Sequence, residues 1–354
     1  MDFTLKIMGS ASAKPVVDRN QSAQVLSVHG RLFLIDAGEG VQTQLSRYHI
    51  SHSKIDSIFI SHIHGDHVFG IFGLLSTMGM LGRRQPVNIY APSNFGPILK
   101  FFLSYYGEGL NFEIRFTALK SSGIAETFSS FDFKKTALPA LDSEKTGSAE
   151  FRDSEFACPE KLSSAASGEK KWPKVIYETK SIEILAFPLN HGIETFAYMF
   201  REKMPQYNVH KWAIVKYGLS LTEIGSLKRG DDVIHPDSVV IKASEAAYIP
   251  FQPRSYAYCS DTAPFPELVT WLQGVSVLYH EATYLAEFAA EAARRHHSTT
   301  LDAARLAKAC GAKRLLIGHY SSRFRDVSLF GRECCTIFPE TTCVSDGDTF
   351  EISL

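Results

Sequence analysis

The sequence predicts an α/β fold, on three observations. Strand-like runs alternate with stretches of helical period along most of the chain, the pattern of a sheet covered by helices. At 354 residues the chain is long enough for one domain with a substantial core. Titratable side chains also fall where strands end: Asp36 after RLFLI, the cluster SHIHGDH after IDSIFI, His191 after EILAFPLN, Asp261 after SYAYCS, His280 and Glu281 closing VSVLYHE, and His319 after KRLLIG. In an α/β sheet such ends share an edge, so these residues can meet.

In chain order, FTLKIMG, QVLSVHG and RLFLIDAG read as strands, the last two joined by a turn at His29, Gly30 and Arg31. Between the first two, GSASAKPVVDRN has the small-residue composition of a loop. VQTQLSRYH reads as a helix and IDSIFI as a strand. VFGIFGLLSTMGMLG is apolar nearly all round and is expected to be a buried helix. PVNIYAPSN, PILKFFLSYYG and FEIRFTAL continue as strand, helix and strand. From about residue 120 to 171 Ser, Glu, Lys, Ala and Asp dominate, an insertion with weak core-forming capacity, while Phe128, Phe131, Phe133, Phe151 and Phe156 argue for partial order.

KVIYETKSIEILAFPLNHG restores two strands and TFAYMFREK adds a third. VHKWAIVKYGLSLTEIGSLKRGDDV holds two helical segments, with Lys211, Lys216, Lys228 and Arg229 expected at the surface. Strand SYAYCS, helix FPELVTWLQG and strand VSVLYHE follow. A helix pair breaks at His297 to Thr300, its second member capped by Thr300 and Gly311. KRLLIG is a strand, and TTCVSDGDTFEISL is expected to close the chain as a hairpin or strand pair.

Composition narrows the function classes. The formal net charge is −1, so any nucleic acid must be held by a local patch rather than by the field of the whole chain. The longest apolar stretches are too short to span a bilayer. MDFTLKIMG places Asp2 and Lys6 where a signal peptide would be apolar, so a cytoplasmic protein without a membrane segment is expected. The six cysteines show no CxxC spacing and read as free thiols of a reducing compartment.

The cluster from Ser61 to His67 carries the chemistry. His62, His64, Asp66 and His67 hang from a strand tip, and imidazole with carboxylate is the mixture that holds a divalent ion while leaving a position for water. Ordinary loop histidines, with Asp66 as a turn former, would have no reason to lie between a buried strand and a Gly-rich apolar helix. SHIHGDH resembles the HxHxDH signature of the metallo-β-lactamase superfamily. The resemblance implies an αββα sandwich with a two-metal site at the sheet edges. His62, His64, Asp66, His67, His191, Asp261 and His319 suffice for two divalent ions if one carboxylate bridges. Asp36, at its strand tip, is placed either to hold a ligand histidine from behind or to cap the next helix.

Further motifs tighten the resemblance. LNHG at His191, SDT at Asp261, HEAT from His280 to Thr283, HST from His297 to Thr299 and GHYSSRF around His319 resemble ribonuclease Z, the tRNA 3′ endonuclease family. The resemblance implies His62, His64 and His191 on one metal, Asp66, His67 and His319 on the other, and Asp261 bridging, with zinc the expected ion. It implies Asp66 as the residue that orients or deprotonates the nucleophile and His297 as general acid, with His280 and Glu281 in support. It also implies precursor tRNA as substrate and a homodimer.

Three departures from the family pattern stand out. PVVDRN keeps Arg19 and Asn20, expected RNA contacts, but has Val17 where the family has Lys. Ser260 replaces the usual Gly. The segment from about 205 to 245, where a Gly-Pro-containing RNA-binding arm belongs, lacks Gly-Pro, so Lys211, Lys216, Lys228 and Arg229 are its candidate phosphate contacts. The whole chain is otherwise read as one domain. A hydrolase of small phosphodiesters or esters on the same fold is the alternative function.

Overall fold

The computed structural model describes residues 2–133, 172–236 and 238–353. Strands β1 (Phe3–Gly9), β2 (Ala23–Val28), β3 (Arg31–Ile35), β4 (Ile55–Phe59), β5 (Val87–Pro92), β6 (Ile114–Lys120) and β7 (Gly123–Ser129) belong to one sheet. Strands β8 (Lys174–Glu178), β9 (Ile182–Pro188), β10 (Phe196–Glu202), β11 (Ser255–Cys259), β12 (Val277–Glu281), β13 (Arg314–Gly318) and β14 (Thr341–Cys343) form a second. Strand β15 (Thr349–Glu351) returns to the first and pairs antiparallel with β1.

Alternation along each strand sorts side chains between layers. In β3 and β4, Phe33, Ile35 and Phe59 enter the core between the sheets, where they meet Tyr198, Phe200 and Tyr258 of the second sheet. Their neighbours Leu34 and Ile58 face helices α1 (Val41–Arg47), α2 (Gly65–Val68), α3 (Gly70–Met80) and α4 (Phe95–Tyr106). On the far side, Ala257, Leu278 and Leu315 pack against Leu268, Leu272, Ala303 and Ala304. The result is helix, sheet, sheet, helix. Parallel strands covered on both faces account for the near-continuous apolar runs of the sequence.

Direction explains why the titratable residues meet. Strands β3 to β6 are mutually parallel, as are β11 to β14, and β9 runs with β11 because each is antiparallel to β10. Asp36, Ser61, His191, Ser260, Glu281 and His319 therefore all lie at carboxyl ends on one edge. Close glycine contacts set the helix behind the motif: a Cβ on Gly70 would come 2.1 Å from the Gly38 carbonyl oxygen, while the Gly70 amide donates to Ala37 at 2.8 Å. Only Gly lets α3 seat this close to the loop after β3.

Four expectations need correction. The apolar helix is two helices, and α3 buries Ile71, Leu74, Leu75 and Met78 while Phe69 and Met80 remain exposed. The sheet extends past residue 120, because β7 pairs with β6 before the polar stretch begins. Phe151 and Phe156 lie outside the described residues. The C-terminal strands are not a hairpin: β14 pairs with β13 and β15 with β1, so the chain crosses from one sheet to the other. Finally, Thr299, not Thr300, caps the helix Thr300–Ala309, exchanging hydrogen bonds with Asp302 in a capping box.

Residues 207–248 fold around their own small core. Helices Lys211–Tyr217 and Leu221–Arg229 and two short two-stranded ribbons enclose Ala213, Leu219, Leu227, Val233 and Ile241. Ser220 and Glu223 form a capping box at the second helix, and Gly218 and Gly230 end the pair at positive φ.

Candidate metal centre

Four histidines are held from behind, each at Nδ1. His67 Nδ1 lies 2.7 Å from Asp36 Oδ2. His191 Nδ1 lies 3.0 Å from the His296 carbonyl. His319 Nδ1 lies 2.9 Å from Thr283 Oγ1, and that hydroxyl already donates to Glu281 Oε2 at 2.7 Å. His62 Nδ1 lies 3.0 Å from Ser61 Oγ, whose own proton goes to Asp36 Oδ2 at 2.8 Å. Every one of these partners has only a lone pair to offer. Nδ1 must therefore carry the proton in each ring, which leaves Nε2 bare.

The bare nitrogens converge. His62 Nε2 stands 3.0 Å from His64 Nδ1, which stands 3.4 Å from His191 Nε2. On the other side His67 Nε2 and His319 Nε2 are 3.2 Å apart, and Asp66 Oδ2 is 3.5 Å from both. Asp261 spans the two groups. Its Oδ2 lies 3.5 Å from His62 Nε2 and 3.9 Å from His191 Nε2, and its Oδ1 lies 3.2 Å from His319 Nε2 and 3.7 Å from His67 Nε2.

These residues fit metal ions. Ligand atoms about 2.0–2.2 Å from a tetrahedral cation stand about 3.3–3.6 Å from one another, close to the separations found. Lone pairs facing lone pairs in a buried cluster repel unless a cation lies between them. Asp261 Oδ1 is buried with no hydrogen-bond partner, the mark of an atom reserved for something other than a proton donor. Burial works against charge on His67, yet Asp66, Asp261 and Asp36 together hold its pKa well above the usual value, so the pocket demands positive charge. Burial and the neighbouring histidines push His62 the other way, well below it.

Asp36 does not cap the next helix, whose N-cap is Gly40. Besides His67 and Ser61 Oγ, it accepts the Ser61 amide at 2.7 Å and the Tyr258 hydroxyl at 2.7 Å. Its φ of 55 and the φ of 61 at His319 lie in the left-handed region, a strain that these hydrogen bonds hold in place. Ser260 places its hydroxyl 2.9 Å from Ser61 Oγ.

Glu281 is buried and saturated. It accepts from the Thr262, Thr283 and Ser298 amides, from the Thr283 hydroxyl, and from His297 Nδ1 at 3.0 Å. Burial opposes its charge, but His297, His319 and His280 together outweigh that and hold Glu281 down to about 2. His297 is likewise held up to about 9 by Glu281 and Asp261 against its own burial. His297 turns its other edge to the metal cavity and falls within ligand distance of Asp261 and His319. His280 alternates to the opposite face of β12 and bonds the Glu281 carbonyl at 2.6 Å, away from the ligands.

Arg19 and Asn20 are turned inward. Arg19 donates to the Phe324 carbonyl at 2.8 Å and lies over the Tyr320 ring, and Asn20 donates from backbone and side chain to Asp346. Half-buried, they clamp the loop after β1. Lys211, Lys216, Lys228 and Arg229 are exposed on the two helices of 207–248, between His191 and Asp261 in sequence. Sequence reading missed Ser61, Thr283 and Tyr258, whose hydroxyls connect the carboxylates to the ligand rings.

Ribonuclease Z of Bacteroides fragilis is 32% identical to this chain over 96% of it and 95% of the relative. The chain belongs to the ribonuclease Z family. A profile described as Anti-Pycsar protein Apyc1 matches residues 3–104. Among solved structures, the short form of human tRNase Z superposes with a TM-score of 0.63 at 22% identity, covering 99% of this chain and 100% of that one. The metallo-β-lactamase fold protein YhfI of Bacillus subtilis does so at 0.61 and 15%, with coverage of 99% and 100%. The fold of the family member described above is thus the metallo-β-lactamase sandwich, and its His and Asp cluster is able to bind metal.

Proposed function

We propose that this chain is an endoribonuclease that removes the 3′ trailer of precursor tRNA, hydrolysing the bond after the discriminator nucleotide and leaving a 3′-hydroxyl. The observation that carries the proposal is the pair of facing ligand groups joined by Asp261, with a charged His297 beside them. Two divalent ions, zinc by the donor set, would be held by His62, His64 and His191 and by Asp66, His67 and His319, with Asp261 shared. When bound they would neutralise phosphoryl charge and ease deprotonation of water. Asp66, whose Oδ2 also accepts the Ala13 amide at 2.6 Å, orients the attacking water and takes its proton. Glu281 fixes the tautomer and charge of His297, which gives a proton to the departing 3′ oxygen as the P–O3′ bond breaks.

The excursion 207–248 serves as the arm that holds RNA. Lys216 lies over the Trp212 and Tyr217 rings, a cation and aromatic surface suited to a polynucleotide. Combined Lys228→Ala and Arg229→Ala replacement is expected to weaken precursor tRNA binding and to flatten its salt dependence by about two ion pairs. An unchanged slope in salt-titrated binding would take this segment out of the RNA surface.

A second copy covers the apolar face of α3 and α4, where Ile98, Phe101 and Tyr106 are exposed beside Phe72 and Phe102. Light scattering of the purified protein is expected to give twice the chain mass; the mass of one chain would refute it. The cytoplasm is the proposed compartment, supported by cysteines that are free among the described residues and by the absence there of any helix long and apolar enough to cross a membrane.

Comparing kcat/KM on a 3′-extended precursor with that on a small phosphodiester tests the substrate. A preference for the precursor supports RNA processing. Turnover of the small ester alone supports the second reading, a small-phosphodiester hydrolase, which the near-neutral charge of the chain favours.

A further inference from the structure

The cavity above the ligand cluster encloses about 590 Å3, within the range of small-ligand pockets. Its walls are of unlike chemistry. Phe69, which joins α2 to α3, lines the cavity while remaining 65% exposed. A Cβ on Gly65 would come within 2.4 Å of Phe69 Cε2, so the ring rests directly on the glycine of SHIHGDH. Its neighbour Phe72 instead packs with Phe95 and Phe102. A phenyl ring left in water beside histidines and carboxylates gains nothing for the fold, but it offers a flat apolar face next to the ligands.

The same cavity is lined by Lys14, the single Lys or Arg among the described residues that line it. Its loop is tied to the metal cluster. The Ala13 amide donates to Asp66 Oδ2 at 2.6 Å, and Gln21 Nε2 donates to the Ala13 carbonyl at 2.8 Å. Ala13 takes a φ of 60 to do so, which fixes where Lys14 leaves the loop. A ring and a cation lining one cavity together with the metal ligands match the parts of one nucleotide: a base with a π-face and a phosphate with negative charge.

We infer that Phe69 and Lys14 form a nucleotide subsite, in which Phe69 stacks a base adjoining the scissile phosphate and Lys14 contacts a flanking phosphate. The inference rests on the RNA-cleavage reading and names the substrate class of that site, a phosphodiester that bears a base. Stacking accepts any base, so the subsite adds affinity and orientation without reading sequence.

The test uses two substrate pairs. One is a 3′-extended precursor tRNA with the nucleotides flanking the cut either natural or abasic. The other is thymidine 5′-p-nitrophenyl phosphate against methyl p-nitrophenyl phosphate. For Phe69→Ala, the preference for the base-bearing member, as a ratio of kcat/KM values, is expected to fall about 5- to 100-fold in both pairs, and Phe69→Tyr is expected to restore it. Lys14→Gln is expected to lower kcat/KM for the natural and the abasic precursor alike, since both keep the flanking phosphates, and to reduce the salt slope on the precursor by about one. An unchanged preference in Phe69→Ala on both pairs overturns the subsite. Failure of the unaltered protein to cut the natural precursor is a different result: it overturns the RNA reading, while the small pair still decides whether Phe69 meets a base.

Discussion

Asp261→Ala is expected to lose bound metal and to lower phosphodiester cleavage by more than about 1,000-fold. Among the described residues Asp261 is the one side chain whose two oxygens face both ligand groups, and its Oδ1 has no protein hydrogen bond to lose. Its replacement removes a negative charge from a pocket in which four imidazoles already turn bare nitrogens inward. Metal analysis of the purified variant, beside a thermal melt, separates ligand loss from unfolding. A folded variant that keeps two equivalents of metal would show that Asp261 does not join the two groups.

The second large effect is expected at His297, where alanine should lower kcat on precursor tRNA about 100- to 10,000-fold, the usual worth of a positioned proton donor, with metal content unchanged. Glu281 holds this ring from Nδ1 and stabilises its charge, so the loss should be smaller on an aryl ester whose leaving group needs no proton. Because His297 also lies within ligand distance of Asp261 and His319, metal analysis is the decisive reading. Metal lost in proportion to activity would make His297 a ligand instead of an acid.

Much of the site was legible because metal chemistry restricts residue type and parallel strands restrict place. His62, His64, Asp66 and His67 fall within seven residues, and His191, Asp261 and His319 each follow an apolar strand whose direction brings its end to the same edge. The hydroxyls were not legible. Ser61, Thr283 and Tyr258 belong to common residue types with no spacing signal, and their importance arises only where they lie against Asp36 and Glu281.

Distance in sequence concealed other features. Arg19 and Asn20 look like exposed loop polars until Phe324 and Asp346 arrive from more than 300 residues away. The final strands looked like a hairpin because adjacency is the usual rule, whereas β1 and β13 each had an open edge to fill. In α3 the all-apolar composition hid which face met the sheet, since a helix without a polar stripe has no moment to orient it.

Cleavage of a 3′-extended precursor tRNA by the purified metal-loaded protein, with both product ends mapped and Asp66→Ala run alongside, tests the central claim most directly. The account predicts a cut after the discriminator, a 3′-hydroxyl on the tRNA product, and no cut by the variant. An intact precursor, under conditions in which the same protein holds two metals and hydrolyses a small phosphodiester, would contradict it.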